Sequence, residues 1–177
     1  MKYKLPFSSQ TFLAIMATTV SICALVVSVM QTYYQHRYLH ASSWPHIQID
    51  ANRFESGDST KNYVLIKVTN KGIGPAIIES VVYEFKGKKF DSIDELTNTV
   101  LNKSSFKGGM QPLSAGVVIG QNEEIEHLKV MGAREYRQLL ANLVNIKMTV
   151  IYQSVHGERW EYIGDASLPN GRSSKKL

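Results

Sequence analysis

The sequence predicts a mainly β fold, in which an N-terminal transmembrane helix precedes a β-sandwich domain with one or two short inserted helices. Residues 11–30 run for twenty positions without a charge, and a helix of about that length crosses the hydrocarbon core of a bilayer. After Pro45, short segments rich in β-branched and aromatic residues alternate with turns that contain glycine, asparagine or proline. That second pattern is typical of antiparallel strands.

A cleaved signal peptide is the main alternative interpretation of the apolar segment. Its apolar core usually measures about 7–15 residues and ends at a small-x-small cleavage site. Here the apolar run reaches Met30 and passes into Gln31 without such a site. A buried helix of a soluble domain rarely runs this long without a charged face. We therefore predict an uncleaved signal anchor that contacts the lipid bilayer through residues 11–30. The aromatic belt typical of a membrane boundary follows in Tyr33, Tyr34, Tyr38 and Trp44.

The charges that flank the anchor favour one orientation. Lys2, Lys4 and the α-amino group precede it, whereas Arg37 follows it closely. Positively charged flanks stay on the cytoplasmic side of a membrane. We therefore expect residues 1–10 to be a cytoplasmic flank of an inner (cytoplasmic) membrane protein, and the C-terminal domain to lie in the periplasm.

The net charge of +5 does not indicate a nucleic-acid partner. Residues 45–171 carry 14 basic and 15 acidic side chains, a net charge of −1, because the other six basic residues lie near the anchor or in the tail. A nucleic-acid-binding domain shows a concentrated basic patch, which this neutral body does not predict. The single cysteine, Cys23, lies inside the anchor, so no intrachain disulfide is possible.

Strands and helices are predicted from local periodicity and turn residues. The predicted strands cover 47–51, 63–69, 77–85, a short run ending at Phe90, 117–119 and 124–130. Ser92 and Glu95 have the spacing of a capping box, which predicts a helix from there to about Asn102. A second helix is predicted over 133–143, where apolar residues recur at helical spacing.

The clearest predicted element is a β-hairpin near the C-terminus. The side chains expected to share one buried face are Val144, Ile146, Met148, Val150 and Tyr152. A two-residue turn at His156-Gly157 then leads into a returning strand over 159–166, whose Trp160 and Tyr162 should lie on the same buried side.

These elements divide the chain into consecutive regions. Residues 31–44 form a polar stalk that continues the anchor helix until Pro45 closes it, since the residue before a proline avoids helical geometry. The β-sandwich-like domain occupies 45–168. Residues 169–177 (PNGRSSKKL) form a basic tail that we expect to be disordered.

The strand ending in VTNKG, the strand ending in YEFKG and the hairpin IYQSVHGERW follow one another in an order that resembles the immunoglobulin-like sandwiches of bacterial surface proteins. The segment NKGIGPAI, residues 70–77, is similar to one in uncharacterised bacterial single-pass membrane proteins with a small domain behind the anchor. The two predicted helices depart from a plain immunoglobulin-like pattern. The resemblance implies anchoring or interaction, and it implies no catalytic residues.

The sequence contains few groups arranged for chemistry. His36 and His40 are spaced to share a helix face, but they adjoin the membrane and lack a metalloprotease glutamate, so a solvated pair is the better interpretation. His127 is expected on an exposed strand and His156 in a turn. The acidic residues form two clusters in the sequence. Asp94/Glu95 are expected at a helix N-terminus, where negative charge is favourable, and Glu123/Glu124/Glu126 are expected at the start of a solvated strand. No phosphate loop, nucleophile elbow or dinucleotide fingerprint occurs, and we predict no catalytic, cofactor-binding or metal-binding residue.

The sequence therefore predicts a membrane-anchored, non-enzymatic protein-interaction module, such as an accessory subunit of a bacterial envelope or membrane complex. One alternative turns the domain toward the cytoplasm, as the sensing or effector module of a membrane system. Another is a membrane-bound hydrolase or metal enzyme. The stretch 104–116 is the most loop-like part of the domain, and loops on a rigid sandwich commonly carry binding.

Overall fold

A computed structural model of the chain describes residues 8–165 and 172–177. The chain divides into two compact units, Met1–Ala41 and Ser42–Leu177. The predicted cytoplasmic flank lies mostly outside the described residues, as do residues 166–171.

The described part of the first unit is helical. Helix α1 covers Ser9–Ser42, so the predicted anchor and the predicted helical stalk form one continuous helix. Within it, Thr18 and Thr19 donate hydrogen bonds of 2.9 Å to the carbonyls four residues earlier, which satisfies these hydroxyls without water. Among the described residues, one helical stretch, Ser9–Leu39, is long and apolar enough to span a membrane.

The second unit contains two antiparallel sheets. In chain order, the strands of the described residues are β1 (Ile47–Phe54), β2 (Tyr63–Asn70), β3 (Ala76–Phe85), β4 (Lys88–Phe90), β5 (Lys107–Met110), β6 (Val118–Ile119), β7 (Glu124–Met131), β8 (Ile146–Gln153), β9 (Arg159–Asp165) and β10 (Arg172–Lys176). The first sheet has the order β1-β2-β7-β5, and the second has the order β10-β9-β8-β3-β4, with β6 also paired to β3. The predicted mainly β fold with inserted helices is confirmed.

Two short helices pack beside the sheets, α2 (Ile93–Leu101) and α3 (Ala133–Asn142). Ser92 is the N-cap of α2, as predicted, but its hydroxyl accepts from the N–H of Asp94 at 3.2 Å. In a capping box the hydroxyl accepts from the N–H of Glu95 and the Glu95 carboxylate accepts from the N–H of Ser92, so the predicted box is wrong in detail. The acidic pair Asp94 and Glu95 lies in the first turn of α2, where negative charge is favoured by the helix dipole.

The interior between the sheets confirms the predicted hairpin face. Ile146, Met148, Val150 and Tyr152 are buried, and Trp160 and Tyr162 are buried opposite Tyr152 and Val150. Val144 is the exception, because it belongs to a 3-10 turn at Leu143–Asn145 and is 51% exposed. The strand starts two residues later than predicted.

The turn of this hairpin is longer than the predicted two residues. The N–H of Ser154 donates to the carbonyl of Glu158 at 2.8 Å, and the N–H of Gly157 donates to the carbonyl of Ser154 at 3.1 Å. Three residues, 155–157, therefore lie between the hydrogen-bonded Ser154 and Glu158 that follow β8 and precede β9, and Gly157 has a φ of 78°. A left-handed glycine that ends a three-residue loop is a common hairpin solution, and it preserves the predicted register.

Two segments expected to lack regular structure contain strands. In the loop-like stretch 104–116, β5 pairs with β7. The glycines of β5 give it no alternation of apolar side chains. A Cβ on Gly108 would lie 1.9 Å from the carbonyl oxygen of Lys129. In the tail, β10 pairs with β9, so the expectation of disorder is wrong for residues 172–176. Neither edge strand has the alternation of apolar and polar residues that would have predicted it.

Candidate functional site

A pocket of about 100 Å³ opens between the two sheets. Its walls are apolar and come from both sheets and from α2, with Ile49, Ile66, Ile93, Leu96, Ile146 and Met148 among the lining residues. Ala51 also lines the pocket and is exposed, so the pocket reaches the surface beside β1. Two polar side chains, Tyr83 and His127, complete part of the wall.

Tyr83 and His127 form a buried hydrogen-bonded pair across the sandwich. The Tyr83 hydroxyl lies 2.8 Å from Nε2 of His127, and Nδ1 of His127 lies 2.8 Å from the backbone carbonyl oxygen of Gln111. A carbonyl oxygen only accepts, so Nδ1 carries a proton and donates to it. Nε2 of the neutral imidazole then accepts from Tyr83, whose oxygen retains further accepting capacity.

Burial keeps both groups of this pair neutral. It lowers the pKa of His127 from its usual value, an effect that the hydrogen bond to Gln111 opposes only in part. Burial also raises the pKa of Tyr83, and the carboxylate of Asp94 adds to that increase. Both shifts follow from the cost of placing a charge away from water. The pair therefore connects the two sheets by a hydrogen bond between uncharged groups, and it contributes no charge to the wall of the pocket.

The prediction that His127 lies on an exposed strand is wrong, because its side chain has no exposed surface. The pairing of β2 with β7 shifts between Ile66 and Lys67, so that Ile66 lies opposite Leu128 and Lys67 opposite Glu126. His127 is the extra residue of a β-bulge. A bulge changes the direction of neighbouring side chains, which allows His127 and Leu128 both to be buried.

The edge of the first sheet beside the pocket is only partly occupied. Among the strands that the structure describes, β1 pairs with β2 alone. The N–H of Ile47 donates to the hydroxyl of Tyr152 at 3.5 Å, and the N–H of Ile49 donates to the hydroxyl of Tyr162 at 3.3 Å. These tyrosines cover the first half of the edge.

The second half of β1, residues Ala51, Asn52, Arg53 and Phe54, is exposed, and we call it the open edge. Backbone groups alternate in direction along a strand, so Ala51 and Arg53 point away from β2, as Ile47 and Ile49 do. Among the loop, turn and side-chain hydrogen bonds of the described residues, none reaches the N–H of Ala51 or of Arg53. Arg53 also forms no ion pair with the described part of the chain.

A second polar cluster fixes the segment that follows α1 in the chain. The side-chain oxygen of Asn70 accepts from the N–H groups of His46 and Gly72 at 3.1 and 2.9 Å. Its amide nitrogen donates to the carbonyls of Gly74 and Ile119 at 2.7 and 3.0 Å. Asn70 is fully buried. All four hydrogen-bonding positions of its amide are thus used for fastening backbone segments together.

Close backbone contact explains the glycines of the NKGIGPAI segment. A Cβ on Gly72 would lie 2.4 Å from the carbonyl oxygen of Trp44, and a Cβ on Gly74 would lie 2.3 Å from that of Ser43. The N–H of Ile73 donates to the carbonyl of Trp44 at 2.9 Å. The segment singled out by resemblance therefore has a structural role, the attachment of residues 43–46 to the domain.

The other residues considered from sequence remain apart. In the described regions, no group of three or more His, Cys, Asp or Glu side chains could hold a metal ion. His36 lies on the exposed surface of α1, and the side chain of His40 falls outside the described residues. Glu124 pairs with Lys67, while Glu123 accepts from the N–H of Gly120 at 2.6 Å.

The pocket was missed from the sequence because its walls come from seven separate segments of the chain. The signal that could have indicated it was weak: a histidine, His127, in phase with Ile125 on a strand whose alternation is interrupted. Comparison of the chain with known protein families finds no match, and no curated protein matches it.

Proposed function

We propose that this chain is a membrane-anchored, non-enzymatic protein-interaction module, an accessory subunit of a bacterial envelope or membrane complex. The observation that carries the proposal is the pocket of about 100 Å³ beside the open edge of β1. Ligand pockets for drug-sized molecules measure about 300–1,000 Å³, and a cavity of about 150 Å³ admits one benzene. The size of this pocket suits one side chain of a protein partner better than a metabolite.

The sandwich belongs, in this proposal, to the immunoglobulin-like group. Immunoglobulin domains arrange strands A, B, E and D in one sheet and C, F and G in the other. The order β1-β2-β7-β5 corresponds to the first set, and β3, β8 and β9 correspond to the second. Domains of this architecture are frequent in surface recognition, which supports a binding role by analogy of fold.

We place the domain in the periplasm, with α1 in the inner membrane and the N-terminus in the cytoplasm. The positive flank formed by Lys2 and Lys4 supports this orientation. Alkaline phosphatase fused after Leu177 should be active in cells, because it folds only outside the cytoplasm. An inactive phosphatase, together with a fluorescent cytoplasm-dependent reporter at the same position, would support a cytoplasmic sensing or effector domain instead.

The interaction itself is tested by cross-linking in intact cells, followed by isolation of the tagged full chain in mild detergent. A matched control carries the same tag on residues 1–44 alone, which retain the anchor without the domain. We expect a partner protein to co-purify with the full chain in a constant ratio and to be absent from the control preparation. The same set of proteins with both would contradict the proposed function.

A further inference from the structure

We infer that the partner presents an extended segment that adds to the open edge of β1 as a new strand, places an aliphatic side chain in the pocket, and carries an acidic residue two positions away. This inference rests on the proposed function and specifies the chemistry of the partner. It combines three features of one region: outward-facing backbone groups, an apolar pocket and an exposed arginine, Arg53, that forms no ion pair with the described part of the chain.

The backbone groups determine the mode of binding. Ala51 and Arg53 direct their N–H and C=O groups away from β2, because the N–H of Lys71 donates to the carbonyl of His46 and the register then puts the ladder bonds at the even-numbered residues of β1. An extended peptide that pairs with a sheet edge satisfies such groups in a regular ladder. The contact of Ile49 with Tyr162 prevents the same pairing at the first half of β1, so the added strand pairs with Ala51–Phe54.

The pocket determines the side chain at the centre of the segment. Ile49 and Ala51 both line the pocket, so the odd-numbered residues of β1 face the interior between the sheets. Residues directly opposite one another on paired strands have side chains on the same face. A partner residue opposite Ala51 therefore directs its side chain toward the pocket mouth. A volume of about 100 Å³ with apolar walls fits a leucine, isoleucine or valine side chain.

The charge of Arg53 determines which partner residue lies two positions from the aliphatic one. Arg53 follows Ala51 by two positions, is exposed, and makes no ion pair with the described residues. The partner residue opposite Arg53 is two positions from the aliphatic residue and on the same face. Aspartate or glutamate there pairs with the guanidinium, whereas lysine or arginine is repelled. The complementary segment is thus aliphatic-x-acidic, in either chain direction.

The test is selection from a phage-displayed library of random nonapeptides on the immobilised, detergent-solubilised full chain. We expect enrichment of sequences with an aliphatic and an acidic residue two positions apart. An enriched peptide is then synthesised with a fluorophore, and its binding to the full chain and to three single variants is measured by fluorescence anisotropy. The variants are Ala51→Trp, Arg53→Glu and Asn52→Trp.

The expected results differ between the variants. Ala51→Trp fills the pocket mouth and should weaken binding by about tenfold or more, as loss of an anchor does. Arg53→Glu should weaken it by about two- to fivefold, the range of an exposed ion pair, and should restore binding of a peptide whose acidic residue is replaced by lysine. Asn52→Trp adds the same bulk on the opposite face of β1 and should leave binding within about twofold.

Two outcomes overturn the inference. One is a library with no enriched aliphatic-x-acidic sequence. The other is a peptide whose binding is unchanged by Ala51→Trp and by Arg53→Glu while both variants unfold like the unaltered chain. In either case a partner captured by the domain in cells would still support the proposed function. Absence of any domain-dependent partner in cells would contradict the proposed function itself.

Discussion

Tyr83 of β3 and His127 of β7 connect the two sheets by a hydrogen bond of 2.8 Å inside the wall of the pocket. The second imidazole nitrogen is held by the carbonyl oxygen of Gln111 at 2.8 Å, and Gln111 directly follows the edge strand β5. One histidine therefore links three parts of the domain. In its neutral form, which burial favours, Nδ1 donates to this carbonyl and Nε2 accepts from the Tyr83 hydroxyl.

The first prediction concerns pH. Burial lowers the folded pKa of His127 below its usual value of 6.5, so the unfolded chain binds this proton more readily than the folded chain. Stability from this group is therefore complete above about pH 6.5 and is lost as the pH falls from there toward the folded pKa, by at most about 1.4 kcal/mol per pH unit. Urea unfolding of the detergent-solubilised chain between pH 7.5 and 5 measures it. His127→Gln, which cannot titrate, should show a weaker dependence of the unfolding free energy on pH. The same pH dependence in both proteins would contradict the lowered pKa of His127.

The second prediction concerns the glycines that contact residues 43–46. Gly74→Ala places a Cβ 2.3 Å from the carbonyl oxygen of Ser43, so the backbone must separate. We expect a loss of about 2 kcal/mol or more in the free energy of unfolding, the scale of overpacking. Gly57→Ala is the control, since no atom of the described residues lies within 4 Å of its Cβ position, and it should be neutral or slightly stabilising. Equal effects of the two substitutions would contradict the described contact.

The third prediction concerns the two faces of β8. Val150 has no exposed surface and lies opposite Val81 and Tyr162. Val150→Asp buries an unpaired carboxylate and should cost about 4 kcal/mol or more, enough to unfold or aggregate the domain. Thr149 is half-buried on the other face, and Thr149→Asp should cost about 1 kcal/mol. Thermal unfolding compares them; a larger loss for Thr149→Asp would reverse the assigned faces.

The fourth prediction concerns the anchor. Ala24 lies within the stretch of α1 that is apolar enough to span a membrane. Ala24→Arg should raise the free energy of insertion by about 2.5–3.5 kcal/mol. Membrane fractionation should then show the chain in the soluble or degraded pool. Ala115→Arg, the same substitution at an exposed position of the domain, is the matched control and should stay in the membrane. Unchanged, carbonate-resistant association of Ala24→Arg would contradict the transmembrane assignment.

The sequence predicted those elements whose side chains themselves carry the signal. The alternation through Ile146, Met148, Val150 and Tyr152 predicted β8, because each of these side chains is buried by the sheet opposite. The strand β5, whose position depends on close backbone contact, was not predicted. Gly108 in β5 is excluded from carrying a side chain by Lys129, so that strand has no apolar pattern.

The candidate site was the least predictable part, for the same reason. A bulge that no residue type marks buries His127. The open edge follows from which strands pair and where tyrosine hydroxyls cover β1, and Tyr152 and Tyr162 are about a hundred residues away from it in the chain. Contacts between residues so far apart in the chain cannot be predicted from local sequence patterns.

Hydrogen exchange at the amides of β1 tests the central claim most directly. In the full chain, the amides of Asn52 and Phe54 point toward β2, whereas those of Ala51 and Arg53 point outward. Addition of an enriched aliphatic-x-acidic peptide should slow exchange at Ala51 and Arg53, leave Asn52 and Phe54 little changed, and have no such effect in the Ala51→Trp variant. Slower exchange at β5 or β10 instead, or no alternation along β1, would contradict binding of a partner strand at this edge.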